Sequence, residues 1–363
     1  MRRTLALPLL CALAGCARAP QPEVPRDAIV YPPPPDLPRV QHLASIATID
    51  DLPRRRSGFA DFVLGAEESR PGVIKPYGVA MHGARLYACD TILNNVVVFD
   101  FATGRVSSLS SNLGAEQLQN PINLAVAPDG TVYVADAGRG QIVVFGPDGR
   151  HVTSLGAQGQ ATPGDVCLDG DRLIVADLEG NQVEAWDRTT GQVIDVWGRL
   201  GGDDGEFNTP TNLAVAPDGT ICVSDTMNFR VQRLSPEGRP LGAFGDVGTG
   251  FGDFARPKGI AVDAEGRVYV ADARFNNVQI FNPEGQLLMF FGGLGEDPSN
   301  MDLPADVALV TDPASIALFA DRVIPGQRLA HLILVSSQFG RPEIDVYGFF
   351  AGETPPDAAP GPR

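Results

Sequence analysis

Apolar residues in this chain fall in short runs of four to six, many alternating with polar positions, and each run is bounded by Asp-Gly, Glu-Gly or Asn signals. Runs of period two between turn residues predict short antiparallel strands. The clearest example opens at Pro210-Thr211-Asn212-Leu213-Ala214-Val215, turns at Pro217-Asp218-Gly219, and continues through Ile221-Cys222-Val223-Ser224-Asp225. Arg230 to Leu234 follows, then a turn at Pro236-Glu237-Gly238 and a last run ending on Phe244. The same pattern begins at Pro76, Pro121, Pro163, Pro210, Pro257 and Pro304, a period of 42 to 47 residues. Four strands in about 45 residues is one propeller blade, so six copies predict a six-bladed β-propeller over residues 40–350. A propeller must join its last blade to its first, because an open ring leaves two unpaired sheet edges. The sixth copy lacks a fourth strand, and Val40 to Ile46 reads like fourth strands such as His151 to Leu155. The ring is therefore expected to be closed by an N-terminal strand.

The copies resemble the NHL repeat family. The resemblance rests on the opening Pro-x-[Gly/Asn/Asp]-[Ile/Leu/Val]-Ala-Val, on Tyr-Val-Ala-Asp at Tyr133 to Asp136 and Tyr269 to Asp272, and on Phe99, Phe145, Trp186, Leu234 and Phe281 closing the third strands. It runs from residue 76 to about residue 349 and weakens in the sixth copy. There Thr311-Asp312-Pro313 replaces the glycine turn, and Phe319-Ala320-Asp321 stands where apolar-Ala-Asp is expected to end the second strand.

Outside the repeats the composition changes. Arg2-Arg3, an apolar stretch from Leu5 to Leu13, and small Ala14 and Gly15 predict an export signal over residues 1–15. Leu13-Ala14-Gly15-Cys16 resembles the lipobox of bacterial lipoproteins, which implies acylation of Cys16 and attachment to a membrane through that lipid. Ala17 after the cysteine favours, by the same analogy, the outer membrane. Residues 16–39 hold eight prolines and no apolar period, and predict an extended spacer that could reach roughly 70 Å. Residues 351–363 read as a disordered tail. With 28 basic against 44 acidic side chains the net charge is −16, which argues against nucleic acid as a partner. Cys89, Cys167 and Cys222 are an odd set in separate units and predict small buried residues, not a disulfide framework.

Two sets of residues are candidates for chemistry. An Asp ends the second strand of each copy, at Asp90, Asp136, Asp177, Asp225, Asp272 and, in the sixth, Asp321. A residue so regular reads as architecture, with the carboxylate accepting backbone N–H groups of the adjoining turn. The position two after each opening proline varies instead, through Gly78, Asn123, Asp165, Asn212, Gly259 and Asp306. Inner strands start at one mouth of the channel, so Asn123, Asp165, Asn212 and Asp306 are expected to ring it as a binding site. Asp165 and Asp306 are the candidate ligands for Ca²⁺. This ring resembles that of the calcium-dependent six-bladed lactonases, without reproducing their acidic pattern. The four histidines His42, His82, His151 and His331 sit in separate units with no metal-ligand spacing, so the zinc site of the amidating lyases that share the NHL fold is not reproduced. No cofactor is required and no catalytic set is readable.

Between the closing strand and Pro76 lies an insertion, residues 50–75, where other copies use about ten residues, and long loops in compact folds are usually functional or disordered. Phe59, Phe62 and Val63 predict a short amphipathic helix after Ser57, and Arg54-Arg55-Arg56 is the one basic triplet in the mature chain. These arginines are candidates for docking an acidic partner. The expected function is a lipid-anchored cell-envelope binding or protein-interaction scaffold with a protein partner in the envelope. The alternative is a calcium-dependent hydrolase or lyase working in the channel. Lipoproteins of this build resemble envelope proteins found with multihaem cytochromes and other envelope complexes.

Overall fold

Alternation along the second strands explains how the blades stack. In Val132–Asp136 every residue is buried. Val132 and Val134 pack with Tyr87, Cys89 and Val98 of the preceding repeat, whereas Tyr133 and Ala135 pack with Leu173, Val175 and Trp186 of the following one. Successive side chains of a strand point to opposite faces, so a sheet clasped between two others is apolar on both. That is why these strands read as nearly continuous apolar runs. The third-strand aromatics lie in the same interfaces: Phe99, Phe145, Trp186 and Phe281 are all buried. Burying each such side chain contributes about 1.5–3 kcal/mol.

The computed structural model describes residues 24–25, 27–53, 71–109, 117–295 and 297–352. Six antiparallel sheets follow one another, five of four strands and one of five. Their inner strands are Pro76–His82, Pro121–Val126, Pro163–Asp169, Pro210–Val215, Pro257–Val262 and Pro304–Val310. Neighbouring inner strands pack side by side around the axis, the last against the first. The turns need glycine where the chain passes through positive φ. Gly238 has φ +78°, and a Cβ there would lie 2.1 Å from Trp197 Cγ.

The strand-end aspartates tie adjoining loops together. Asp136 accepts backbone N–H groups from Gln119, Asn120, Gly138 and Arg139 at 2.8–3.1 Å. Asp90 accepts from Ile74, Lys75, Ile92 and Leu93, and Asp272 from Ala255, Arg256, Arg274 and Phe275. The sixth blade departs from the expectation. Asp321 does not end a second strand; it lies in the 3₁₀ turn Ala320–Arg322. The second strand is Leu329–Ser337, and Ser337 pairs with Pro304 where the other blades pair Asp with Pro. Nor is Thr311-Asp312-Pro313 a hairpin turn. Asp312 caps the helix Pro313–Ala317, accepting from Ala314 N and Ser315 N, and Ser315 Oγ donates to Gly83 O in the first blade.

Closure follows the expected course. Val40–Ile46 pairs with Glu343–Phe350, Val40 opposite Phe349 and Ile46 opposite Ile344. A fifth strand, Val30–Tyr31, then adds to its outer edge. The proline-rich spacer is thus shorter than residues 16–39, because Val30 onward is already part of the sheet.

Candidate functional site

The polar positions two after each opening proline meet in the channel. Asn123, Asp165, Asn212 and Asp306 are all buried, with Asn212 wholly so. Asp165 accepts from Val166 N at 2.7 Å and from Leu213 N of the next blade at 2.9 Å. Asp306 accepts from Val79 N of the first blade at 3.0 Å and from Asn212 Nδ2 at 3.2 Å. Asn123 Oδ1 takes the N–H of Leu124. The two glycines of the ring make this packing fit: a Cβ at Gly78 would lie 2.0 Å from Asn123 Oδ1, and one at Gly259 would lie 2.4 Å from Asp306 Cα. The ring is therefore a hydrogen-bonded plug that bridges blades.

Among the described residues no basic side chain pairs with the plug. Burial pushes Asp306 up to about 7, against backbone and Asn hydrogen bonds that pull it down. Burial, and then the charge of Asp306, holds Asp165 well above the usual carboxylate range. Asn212 Oδ1 is buried with no donor. The donor set is oxygen-only, the kind a hard cation takes, but Ca²⁺ needs six to eight oxygens and water would have to complete it. Among the described residues no group of three or more His, Cys, Asp and Glu side chains stands together to hold a metal.

One residue nearer the mouth come Tyr77, Ile122, Gly164, Thr211, Lys258 and Ala305. Lys258 is buried there, with Lys75 and Arg256 beside it. Sequence reasoning missed these three cations; the available signal was their position flanking Pro76 and Pro257. The same face carries the loops from each fourth strand to the next inner strand. Leu200, Val247 and Leu294 hold equivalent places in three successive loops and are 64%, 69% and 75% exposed. Phe251, 88% exposed, stacks on Phe290 with centroids 6.5 Å apart.

Elsewhere the chemistry-bearing residues are structural. His42 Nε2 lies 3.2 Å from both Asp345 Oδ1 and Ser45 Oγ, and Ser45 Oγ donates to the same Asp345 oxygen at 2.7 Å. One histidine nitrogen serves both partners, so this is no nucleophile–base–acid relay, which needs the two nitrogens to act separately. It pins the closing strand to its neighbour. Cys89, Cys167 and Cys222 are free thiols, each raised by burial. Cys16, Arg54, Arg55, Arg56 and the helix expected around Phe59 lie outside the described residues. The segment that holds the arginines is pinched at its base, where Ile49 N donates to Pro71 O and Val73 N to Ala47 O.

Six closed sheets around a plugged polar axis define a six-bladed β-propeller. Its kind follows from the repeats: a model of the NHL repeat matches residues 118–145, 207–234 and 254–281, and the chain is an NHL-repeat β-propeller. A solved protein of unknown function from Bacteroides thetaiotaomicron is similar to it, with TM-score 0.60 and 17% identity over 85% of this chain and 75% of that one. A gluconolactonase from Xanthomonas campestris is similar at TM-score 0.55 and 16% identity, covering 85% of this chain and 98% of that one. Virginiamycin B lyase from Staphylococcus aureus is similar at TM-score 0.53 and 12% identity, covering 76% and 95%. At these identities the likeness is one of fold.

Proposed function

We propose that this protein is an exported propeller, tethered through a lipid on Cys16 to the outer membrane, that acts by holding a protein partner in the cell envelope and not by catalysis. The observation that carries the reading is the repeated exposure of Leu200, Val247 and Leu294, with Phe251, on the face where the inner strands begin. A fold that buries apolar residues at every blade interface leaves these at solvent in register, as a docking face would. Arg54, Arg55 and Arg56 add a basic element suited to an acidic partner. The test is cross-linking in native envelope membranes. Replacing Val247, Phe251 and Leu294 together by Asp should leave the melting temperature unchanged and reduce the cross-linked partner at least about tenfold; an undiminished adduct overturns the reading. Replacing the three arginines by Ser should weaken the same adduct most at low salt.

The second reading is a calcium-dependent hydrolase or lyase, favoured by the donorless Asn212 Oδ1 beside two buried carboxylates. The named activities of the gluconolactonase and the virginiamycin B lyase lend it the same direction. Asp165, Asp306 and Asn212 would hold the ion, which would supply charge to polarise a bound oxygen. Millimolar Ca²⁺ should then raise the melting temperature, and Asp165→Ala with Asp306→Ala should abolish the rise. A melting curve indifferent to calcium leaves the plug as structure alone.

A further inference from the structure

Cations are scarce in this chain, yet three of them meet at the channel mouth. Lys75 precedes the opening proline of the first blade, and Arg256 and Lys258 flank that of the fifth. They line a concavity of about 420 Å³ whose walls are otherwise Tyr77, Ile122, Leu303 and Phe339, with Thr91 and Gln338 at the side and no acidic residue. Lys258 is only 8% exposed. Its Nζ sits 4.7 Å from the Tyr77 ring centroid, and Lys75 Nζ lies 5.1 Å from that of Phe339. None of the three side chains makes a hydrogen bond or ion pair with the described residues; Arg256 is exposed and Lys75 half-buried, but Lys258 is buried, and the less buried Arg230 and Arg267 are paired with Asp225 and Asp263.

A buried ammonium without an anion is costly even after its surroundings relax. A contact with an aromatic face offsets only part of this. Burial first, then Arg256 and Lys75, bring Lys258 down to about 8, so it still carries its charge at neutral pH. The carboxylates of Asp165 and Asp306 are one residue deeper in the strands, beyond ion-pair reach. The charge is left for something that enters from the mouth.

The geometry points to a binding site for a small organic anion with two or more negative charges, seated between Lys75, Arg256 and Lys258 at the channel mouth. The guanidinium fork of Arg256 suits a planar carboxylate or a phosphate, and the two ammoniums serve as point charges for a second group. The apolar walls favour a carbon frame over a bare ion, and the volume falls in the small-molecule range, near its lower end. This site depends neither on the membrane tether nor on an envelope partner.

Titration calorimetry on the full chain at low ionic strength, with propane-1,2,3-tricarboxylate as probe and acetate and inorganic phosphate for comparison, tests it. The tricarboxylate should bind at one site, more tightly than either comparison ion, and Lys258→Met and Arg256→Gln should each weaken it at least tenfold. Without ligand, Lys258→Met should melt no lower than the parent, because it removes a buried unpaired charge and keeps the stem. No heat or melting shift with the tricarboxylate, or variants that bind it as the parent does, would overturn the assignment. Should Lys258→Met fold poorly, Arg256→Gln decides alone.

Discussion

Asp306 shows how one residue can serve the fold and work against it. Its unfolded carboxyl ionises in the ordinary range, whereas in the plug it keeps its proton up to about pH 7. An acid with a raised folded pKa stabilises fully below its unfolded value and loses that contribution as pH rises through the folded one. Asp306→Asn should therefore help stability more at pH 8 than at pH 5, each tenfold change in the carboxyl's proton affinity being worth about 1.4 kcal/mol. The measurement is the difference in melting temperature between variant and parent at the two pH values, in calcium-free buffer. Comparing variant with parent matters because His331, buried and lowered to about 4, carries the opposite sign. A difference independent of pH would show that Asp306 is ionised throughout. At this scale the strand-end aspartates were readable because their role is local: each carboxylate serves turns adjoining its own strand. Lys258 was not, since its meaning comes from Lys75, 183 positions away, and from Arg256 across an intervening proline.

Among the elements, the closing strand was readable because Val40–Ile46 carries the alternation of a fourth strand with no third strand beside it in sequence. Val40, Leu43 and Ile46 are all buried, and at about 1.5–3 kcal/mol each they make up much of an ordinary domain's stability. Gln41 adds bonds in both directions, Nε2 donating to Arg322 O and Oε1 accepting from Ile324 N. A chain starting at Lys75 should melt far below one starting at Leu37, or fail to fold; thermal denaturation of the two would decide, and equal midpoints would count against the clasp. The sixth blade was read less well. Asp321 follows an apolar residue and an alanine, as Asp136, Asp177 and Asp272 do, but the capped helix Pro313–Ala317 takes up the intervening chain and moves the second strand on to Leu329. A motif of three residues does not reveal that displacement.

For the whole molecule, the proposed attachment is the lipid on Cys16, and among the described residues no helix is long and apolar enough to cross a membrane. If Cys16 bears the only anchor, Cys16→Ser should move the exported protein from the membrane pellet to the soluble fraction, read by fractionation and blotting. Retention in the pellet would point to another attachment. Because Val24 and Ala28 already pack on Val30, Ile324 and Phe350, only residues 17–23 separate the proposed anchor from the body, a stretch that at a polyproline rise spans about 20 Å. A propeller so tethered is held closer to its membrane than the proline content first suggests.

The pairing of Val40 with Phe349 also bears on when this molecule becomes a closed ring. Those partners stand 309 positions apart, so the second strand of the chain must wait for the last described one. Contacts so distant in sequence form late, since the entropy of closing the loop between them must be met before they return anything. Until Glu343–Phe350 arrives, blade six lacks its third strand and Val40–Ile46 has no edge to join. On the proposed export route, the chain would thus stay open, and free to thread, until Glu343–Phe350 had crossed.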